Sequence, residues 1–353
     1  MAWTECQHRK GEIDRSGQLL IELPAADERR SDALEIIHNW RSCHAYPLHI
    51  IAKTLQSRAK RELSAAVGVV RRIKRLPSIG LKLNQNPAMK LSQMHDIGGC
   101  RAVVNSVVEV DKLAAVYLRA ASRRRSETDR SFLAKTYDYI KEPKVDGYRG
   151  VHLIMKYRSD TKPVFNGQRI EIQLRSQLQH AWATAVETCQ AFTGQALKSK
   201  IKSANQTWLR FFSLMSAAIA AREKRPLVPM TPQVKADRKR ELKELEDAEQ
   251  IITKLTTWNH AIQSTEHHGT ERLTAYLMEL DTEAKTLSIQ GFPPRKMPIA
   301  QAAYLERERA TEGDPNVQVV LVSADSLSNL KRAYPNFYAD THFFIKAIQQ
   351  EIY

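Results

Sequence analysis

Cysteine is scarce and scattered. Cys6, Cys43, Cys100 and Cys189 stand far apart with no C-x-x-C pair, which argues against a structural zinc site and a disulfide framework. Long apolar runs are missing too: none approaches the ~20 residues that a membrane span needs. The first residues, Met1-Ala2-Trp3-Thr4-Glu5, lack the charged-then-apolar pattern of a leader. The expected location is therefore cytoplasmic, with no membrane partner. There is no internal repeat and no low-complexity tract. The last shortage is of acid, and it is local. Residues 1–225 hold 39 Lys and Arg against 21 Asp and Glu, whereas residues 226–353 hold 15 against 18. The formal net charge of +15 thus sits in the first two-thirds of the chain, a field that draws polyanions such as nucleotides and nucleic acids.

What is present reads as a globular α+β (α/β) chain. Its 353 residues, 42% hydrophobic and 26% charged, suit one large domain and a smaller one. Residues 1–30 are polar and are expected to be a flexible N-terminus. Leu34, Ile37, Trp40 and Arg41 follow at helical spacing after Ser31 or Asp32, and a second helix is expected over 48–70. Residues 71–95 read as a basic loop with a short helix near Leu91. A strand is expected from Ile97 to Val104, a helix over 111–125 and a long polar loop through 137–150. The strand at 151–157, the Asn166-Gly167 turn and the strand at 168–175 fit a β-hairpin. A helix over 177–189 follows, and Trp208, Phe211, Phe212, Met215 and Ile219 give the next one a bulky apolar face. The Pro-rich stretch 225–232 is the linker candidate. A charged helix of about two dozen residues comes next, then a small α/β module. The division is 1–30, a larger domain 31–225, a linker and charged helix 226–260, and a module 261–353.

Two segments carry the chemistry. His95-Asp96-Ile97-Gly98-Gly99-Cys100-Arg101 places a carboxylate and an arginine at the start of a strand. In Ile170-Glu171-Ile172-Gln173-Leu174-Arg175, alternation puts Glu171, Gln173 and Arg175 on one face. Alone, that is a half-buried strand with a solvated face. Two carboxylates on separate strands are also what Mg²⁺ needs to hold triphosphate oxygens, and one can take a hydroxyl proton. Phosphoryl chemistry needs cations nearby. Arg72, Lys74, Ser78 and Lys82 read either as a phosphate clamp or as a solvated basic loop. Tyr148 after Gly147 reads as a base-stacking ring or a packing residue. His152 reads as a functional or a core histidine.

Taken together, Arg72-x-Lys74-x3-Ser78-x3-Lys82, Asp96-Ile-Gly-Gly-Cys-Arg101, Tyr139-Ile-Lys-x-Pro-Lys144-x-x-Gly-Tyr148-x3-His152, Glu171-x-Gln173-x-Arg175 and Trp182-Ala-x3-Glu187 resemble the RelA/SpoT synthetase domain. The resemblance implies a nucleotidyltransferase-like mixed β-sheet flanked by helices, with a helical linker and a small C-terminal α/β module. It implies a diphosphokinase that moves the β,γ-pyrophosphate of ATP to a 3′-hydroxyl. Arg72 and Arg101 would sandwich adenine, and Lys74, Ser78 and Lys82 would hold the phosphates. Asp96 and Glu171 would bind Mg²⁺, with Glu171 also activating the acceptor. Tyr148 would stack on the acceptor base near Lys144 and His152, with Gln173 and Arg175 beside it. The family usually has Asn at Asp146 and often His at Thr188. A separate hydrolase domain has no room, so synthesis without hydrolysis is expected.

The segment from Asn39 to Leu48 and the Gly98-Gly99-Cys100 bend resemble the toxic branch of small alarmone synthetases. Compact members of the family fall into two groups: one makes guanosine-based alarmones ((p)ppGpp), and the other is this toxin group, some of whose members pyrophosphorylate the tRNA 3′ CCA end. Tyr334-Pro335-Asn336-Phe337-Tyr338 is similar to the tail motif of CapRel-type fused toxin–antitoxins of phage defence, with Phe337 where tyrosine is typical. That implies a regulatory tail, with Tyr334, Phe337 and Tyr338 in it, answering to a protein trigger or antitoxin. The acceptor stays open between a guanine nucleotide and tRNA. The alternative is a catalytically silent RNA-binding or regulatory protein on the same fold. The basic stretches 119–125 and 198–202 permit RNA binding.

Overall fold

A computed structural model describes the chain except for residues 1–2, 25–26, 64–66, 123–130, 194–205, 268–272, 315 and 325. The basic stretches 123–125 and 198–202 lie outside the described residues. Three helices lead: α1 (Lys10–Glu22), α2 (Glu28–Ser42) and α3 (Ala45–Glu62). Strand β1 (Val69–Ile73), helix α4 (Leu76–Gln85), strand β2 (Gly98–Val104) and helix α5 (Val107–Ser122) follow. Then come β3 (Ser131–Asp138), β4 (Val151–Tyr157), β5 (Arg169–Ser176), α6 (Gln177–Thr193) and α7 (Gln206–Arg222). The last third holds α8 (Lys235–Glu249), α9 (Ile251–Ala261), β6 (Gln263–His267), β7 (Ala275–Asp281) and β8 (Thr286–Phe292). It closes with α10 (Met297–Ala310), β9 (Val317–Ser323), α11 (Leu327–Ala333) and α12 (His342–Ile352).

The nine strands among the described residues join one mixed sheet in the order β3-β4-β5-β2-β1-β9-β7-β8-β6. β2 and β5 run parallel and most other pairs antiparallel. The seam between the two halves is β1 with β9, where Arg71 meets Ser323 and Arg72 meets Val322. Ile170, Ile172 and Leu174 are fully buried against Leu48, Ile51 and Leu55 of α3 and Val110 and Leu113 of α5. The polar residues of β5 therefore point to the opposite face, as alternation requires.

Several elements differ from the sequence reading. The first 30 residues hold α1, a packed helix and not a frayed segment. Ile13 and Leu20, a narrow stripe seven residues apart, bury against Ile79, Leu83 and Leu91, and the Glu12 carboxylate accepts from the Arg9 backbone N–H at 2.7 Å. The helix expected through residue 70 ends at Glu62, and Val69–Ile73 is a strand. The basic "loop" is thus a strand followed by a helix. β3 was unforeseen because it is an edge strand with weak alternation, so neither face is apolar enough to mark it. The single charged helix is two, broken at Gln250, which has φ 51°. There the Glu246 carboxylate accepts from the Ile252 N–H at 3.1 Å and caps the second piece.

A buried latch ties the last third to the first. Arg41 of α2 donates to Glu308 of α10 at 2.7 and 3.2 Å and to the Tyr304 hydroxyl at 2.7 Å. His38 Nδ1 sits 3.1 Å from the same guanidinium and must accept from it as a neutral ring. Burial, then Arg41, pushes the His38 pKa down to about 4. A folded-state value below the ordinary ~6.5 means that folding opposes protonation. Stability contributed by neutral His38 is present above about pH 6.5 and is lost as the pH falls toward 4. The thermal midpoint is therefore expected to drop across that window in the parent. The drop should be shallower in His38→Gln, and equal slopes would refute the assignment.

Candidate functional site

Strand register assembles the site. Arg72 of β1, Gly99 of β2, Glu171 of β5 and Ile154 of β4 lie in one cross-sheet row. The next row is Val70, Arg101, Gln173, His152 and Tyr137. Paired residues share a face, so Arg72, Arg101, Glu171, Gln173, His152 and Arg175 all point away from the α3–α5 core. The absent side chain at Gly99 leaves room between Arg72 and Glu171.

Asp96 sits in the turn that leads into β2. Its two oxygens are held by Lys74 Nζ, just past β1, and Lys82 Nζ of α4, each at 2.8 Å. Burial works against this charge, but the two lysines outweigh it and hold the carboxyl well below the usual carboxylate range. Ser78 and Lys82 are one turn apart on α4 and share its face. That helix starts with Pro77 in its first turn, where no N–H is needed. Its first N–H, that of Leu76, donates to the Glu308 carboxylate at 2.8 Å.

Glu171 is 9% exposed. His152 Nδ1 lies 2.9 Å from one of its oxygens, and Gln173 Nε2 donates to the other at 2.7 Å. Burial opposes its charge, yet the His152 pairing leaves its pKa lowered. Tyr148 Oη is 2.5 Å from His152 Nε2 and accepts from Arg175 Nη2 at 2.9 Å. His152 is held up at about 9 despite burial, by Tyr148 first and Glu171 second. Tyr148 falls to about 7 because Arg175 and His152 outweigh its burial. The turn that delivers Tyr148 needs Gly147: φ is +87° and a Cβ would lie 3.0 Å from both Ser216 and Trp182. Lys144 is exposed, with its ammonium 4.2 Å from the Tyr139 ring centre.

Asp146 accepts from the Tyr148 N–H at 2.9 Å, a bond that an asparagine oxygen would make equally. Thr188 is fully buried. A cleft of about 540 Å³ opens beside Glu171 and His152, bounded by Lys82, His95, Tyr137 and Tyr139 among others. Tyr137 and Tyr139 were not singled out as site residues, although their i, i+2 spacing after Lys135 was a strand signal that the residue types obscured.

Arg72 and Arg101 face the tail. Tyr334 is 3% exposed, and its ring lies 5.6 Å from the Arg101 guanidinium. Arg101 also donates to the Ala333 carbonyl at 3.2 Å, and His180 Nε2 lies 3.2 Å from the Arg332 carbonyl. Arg72 is kept charged against its burial by Tyr334, Glu187 and Asp96. Phe337 packs with Tyr334 in the cluster that covers Val70, Val320 and Val322, and Tyr338 joins its edge. A ring without a hydroxyl suits that apolar seat.

Asp96 and Glu171 are close enough that the first raises the pKa of the second. Among the described residues no group of three or more His, Cys, Asp or Glu forms a metal cage. Two carboxylates without a third protein ligand fit Mg²⁺, which keeps positions for water and substrate phosphate.

The fold is thus a mixed sheet flanked by helices, with carboxylates and cations gathered on one face. Within it, residues 71–192, from β1 to α6, match the family model described as the region found in RelA / SpoT proteins. No curated protein matches the chain. Among solved structures, a GTP pyrophosphokinase family protein from Streptococcus pneumoniae is 20% identical over 51% of this chain and 85% of that chain, with a TM-score of 0.39. Small alarmone synthetase 2 from Bacillus subtilis is 19% identical over 52% and 91%, with a TM-score of 0.41. Small alarmone synthetase 1 from the same organism, bound to its product pppGpp, is 20% identical over 51% and 90%, at 0.38. Among the described residues no helix is long and apolar enough to cross a membrane.

Proposed function

We propose that the chain is a RelA/SpoT-type, ATP-dependent pyrophosphokinase whose tail holds it inactive. One observation carries the reading. Asp96, in the turn before β2, and Glu171, on the neighbouring strand β5, are close enough to interact and lie among Arg72, Lys74, Lys82, Arg101 and Arg175, inside the stretch that matches the RelA/SpoT region.

Lys74, Ser78 and Lys82 take the triphosphate, with the lysines exchanging Asp96 oxygens for phosphate oxygens. Arg72 and Arg101 flank adenine. Mg²⁺ held by Asp96 and Glu171 would neutralise charge on the transferred group. Lys144, Gln173 and Arg175 border the acceptor. The acceptor 3′-hydroxyl gives its proton to Glu171 as its oxygen bonds to the β-phosphorus. The bond from that phosphorus to the α,β-bridging oxygen breaks, and AMP leaves with the electron pair. The acceptor is a guanine nucleotide, giving an alarmone, or the 3′ end of tRNA, giving a block to translation. Incubation with γ-labelled ATP and either GDP or GTP, or deacylated tRNA, separates the two. Because the tail is proposed to block the site, the decisive arm is the Tyr334→Ala protein: label in neither product there would sink the enzyme reading, and tRNA binding without label transfer would favour the silent RNA-binding alternative.

Tyr334 lies against Arg101 and near enough to Arg72 to act on its charge, the two residues proposed to flank adenine. The tail then competes with ATP, and a protein partner that draws the module away relieves the block. Phe337 and Tyr338 seat the segment. Tyr334→Ala in the full chain is expected to raise transfer at low ATP by about tenfold, in line with the loss of a ~1.4 kcal/mol competing contact. It should also increase growth inhibition on expression. An unchanged ATP dependence with folded protein would make the tail a stabilising appendage only.

A further inference from the structure

The other face of the sheet holds a cavity of its own. Its volume is about 420 Å³, inside the range of about 300–1,000 Å³ in which small molecules bind. It lies on the α3 side. Arg71 pairs with Cys100 on β2 and with Ser323 on β9, and Cys100 is buried in the core against α3. Paired residues share a face, so Arg71 and Ser323 point away from Arg72, Arg101 and Glu171.

Two distant parts of the chain build the walls. Leu48 and Lys53 of α3 and Arg71 of β1 supply one side, and Met297 and Gln301 of α10 and Leu321 of β9 the other. The cavity thus straddles the β1–β9 seam, a join two residue pairs long among the described residues. Arg72 borders it as well, so β1 lies between the cavity and the site face.

The lining is mostly apolar, with positive charge on one side. The Arg71 guanidinium donates to His49 Nδ1 at 2.9 Å, so that imidazole is neutral and its N–H at Nε2 is a donor too. Burial, then Arg71 and Lys53, keeps the His49 pKa down at about 4. Lys53 is exposed and brings a second positive charge. None of the described residues that line the cavity is acidic. N–H donors and two cations without a carboxylate suit an oxyanion, and the apolar remainder suits an apolar body joined to it. Trp3 adds an aromatic surface to the lining, with its ring centre 5.5 Å from those of Tyr46 and His49.

We infer that this cavity binds a small amphipathic oxyanion, an apolar body carrying one carboxylate or phosphate, and that the bound molecule clamps the C-terminal module onto the first half of the chain. The headgroup meets Arg71, Lys53 and the His49 N–H, and the body lies against Leu48, Met297 and Leu321. A ligand that needs both walls binds only the docked arrangement and stabilises it by mass action. Docking keeps Tyr334 against Arg101, so the ligand acts as a co-inhibitor from the opposite face of the sheet. The co-inhibition rests on the proposed block by the tail; the binding does not.

The test uses the full chain with decanoate and decyl phosphate as probes, each below its micelle concentration. Decanol and decyltrimethylammonium are the uncharged and cationic controls. Calorimetric titration should give one saturable site for at least one oxyanion, and the thermal midpoint should rise with its concentration. The tighter of the two separates a carboxylate ligand from a phosphate. Arg71→Met should weaken that binding about tenfold or more, as expected for loss of a charge-assisted hydrogen bond. Met297→Trp, which fills the cavity from α10, should abolish it. Circular dichroism verifies that both variants are folded. Binding of neither oxyanion, binding of decanol as tight as theirs, or oxyanion binding that survives both substitutions overturns the site. Hydrogen exchange over residues 334–338 should slow when the oxyanion binds, and the KM for ATP should rise several-fold in the parent and by less in Tyr334→Ala. Saturable binding with unchanged exchange over 334–338 overturns the clamp while the pyrophosphokinase reading stands. Binding and slowed exchange without label transfer in Tyr334→Ala uphold the site and the clamp and overturn the pyrophosphokinase reading.

Discussion

Asp96→Asn and Glu171→Gln are each expected to lower pyrophosphate transfer by about 10²–10⁴-fold, the range for loss of a catalytic acid–base group or a charge-stabilising partner. The two losses differ in kind. Glutamine at 171 keeps the Gln173 contact and the shape of the strand but accepts no proton, so kcat should fall with KM for ATP little changed. Asparagine at 96 leaves Lys74 and Lys82, now bound to its two oxygens at 2.8 Å, without a counter-charge until phosphate arrives. ATP binding without Mg²⁺ should then hold or tighten while turnover collapses. Both variants keep the buried Ile170, Ile172 and Leu174 face, so circular dichroism and thermal midpoint should stay near the parent. Retained transfer in either variant would remove that carboxylate from the chemistry. Growth inhibition that survives both changes would favour binding over catalysis.

Glu308→Ala is expected to cost about 3–5 kcal/mol of stability, because it leaves a buried charge without its partner. Arg41 is 2% exposed and Glu308 5%, and each oxygen of that carboxylate receives an Arg41 bond. The substitution also strips the Leu76 N–H of its cap at the start of α4. Arg41 holds the Lys74 carbonyl at 3.0 Å as well, so the Arg41–Glu308 pair fixes both ends of the turn from Lys74 to Leu76. Arg41→Met with Glu308→Leu should recover most of the loss, since a buried pair replaced by apolar groups is often neutral. Denaturant midpoints of the parent, the single and the double variant check this. A single variant as stable as the parent would mean that the two halves are held by other contacts. Glu308 has a pKa lowered against burial by Arg41. Its contribution is therefore present above the unfolded value of ~4.3 and is lost as the pH falls through the lower folded one.

The sequence reading reached the β4–β5 hairpin because period-two alternation and an Asn-Gly turn are local signals. It reached β2, α6 and α7 for the same reason: each has one strongly apolar face. It missed α1, whose apolar stripe is two residues wide, and β3, whose exposed edge has no apolar face to betray it. Val69–Ile73 was read as the end of a helix because a short Val-Val-Arg-Arg-Ile run has no period that separates strand from helix. Only its pairing with β2 on one side and β9 on the other settles it.

By itself the sequence determined which residues lie on which face of β5, where the positive charge is concentrated, and which short motifs recur in the RelA/SpoT region. These are properties of spacing and composition. Tertiary structure alone decided that the last third extends the same sheet, and that Tyr334 meets Arg101 and Arg72 from more than 200 residues away. It also decided that Glu308 caps α4, and that Tyr137 and Tyr139 line the cleft beside Glu171. The physical reason is common to all four: each is a contact between segments distant in the chain, set by strand pairing and burial, and no local period encodes it.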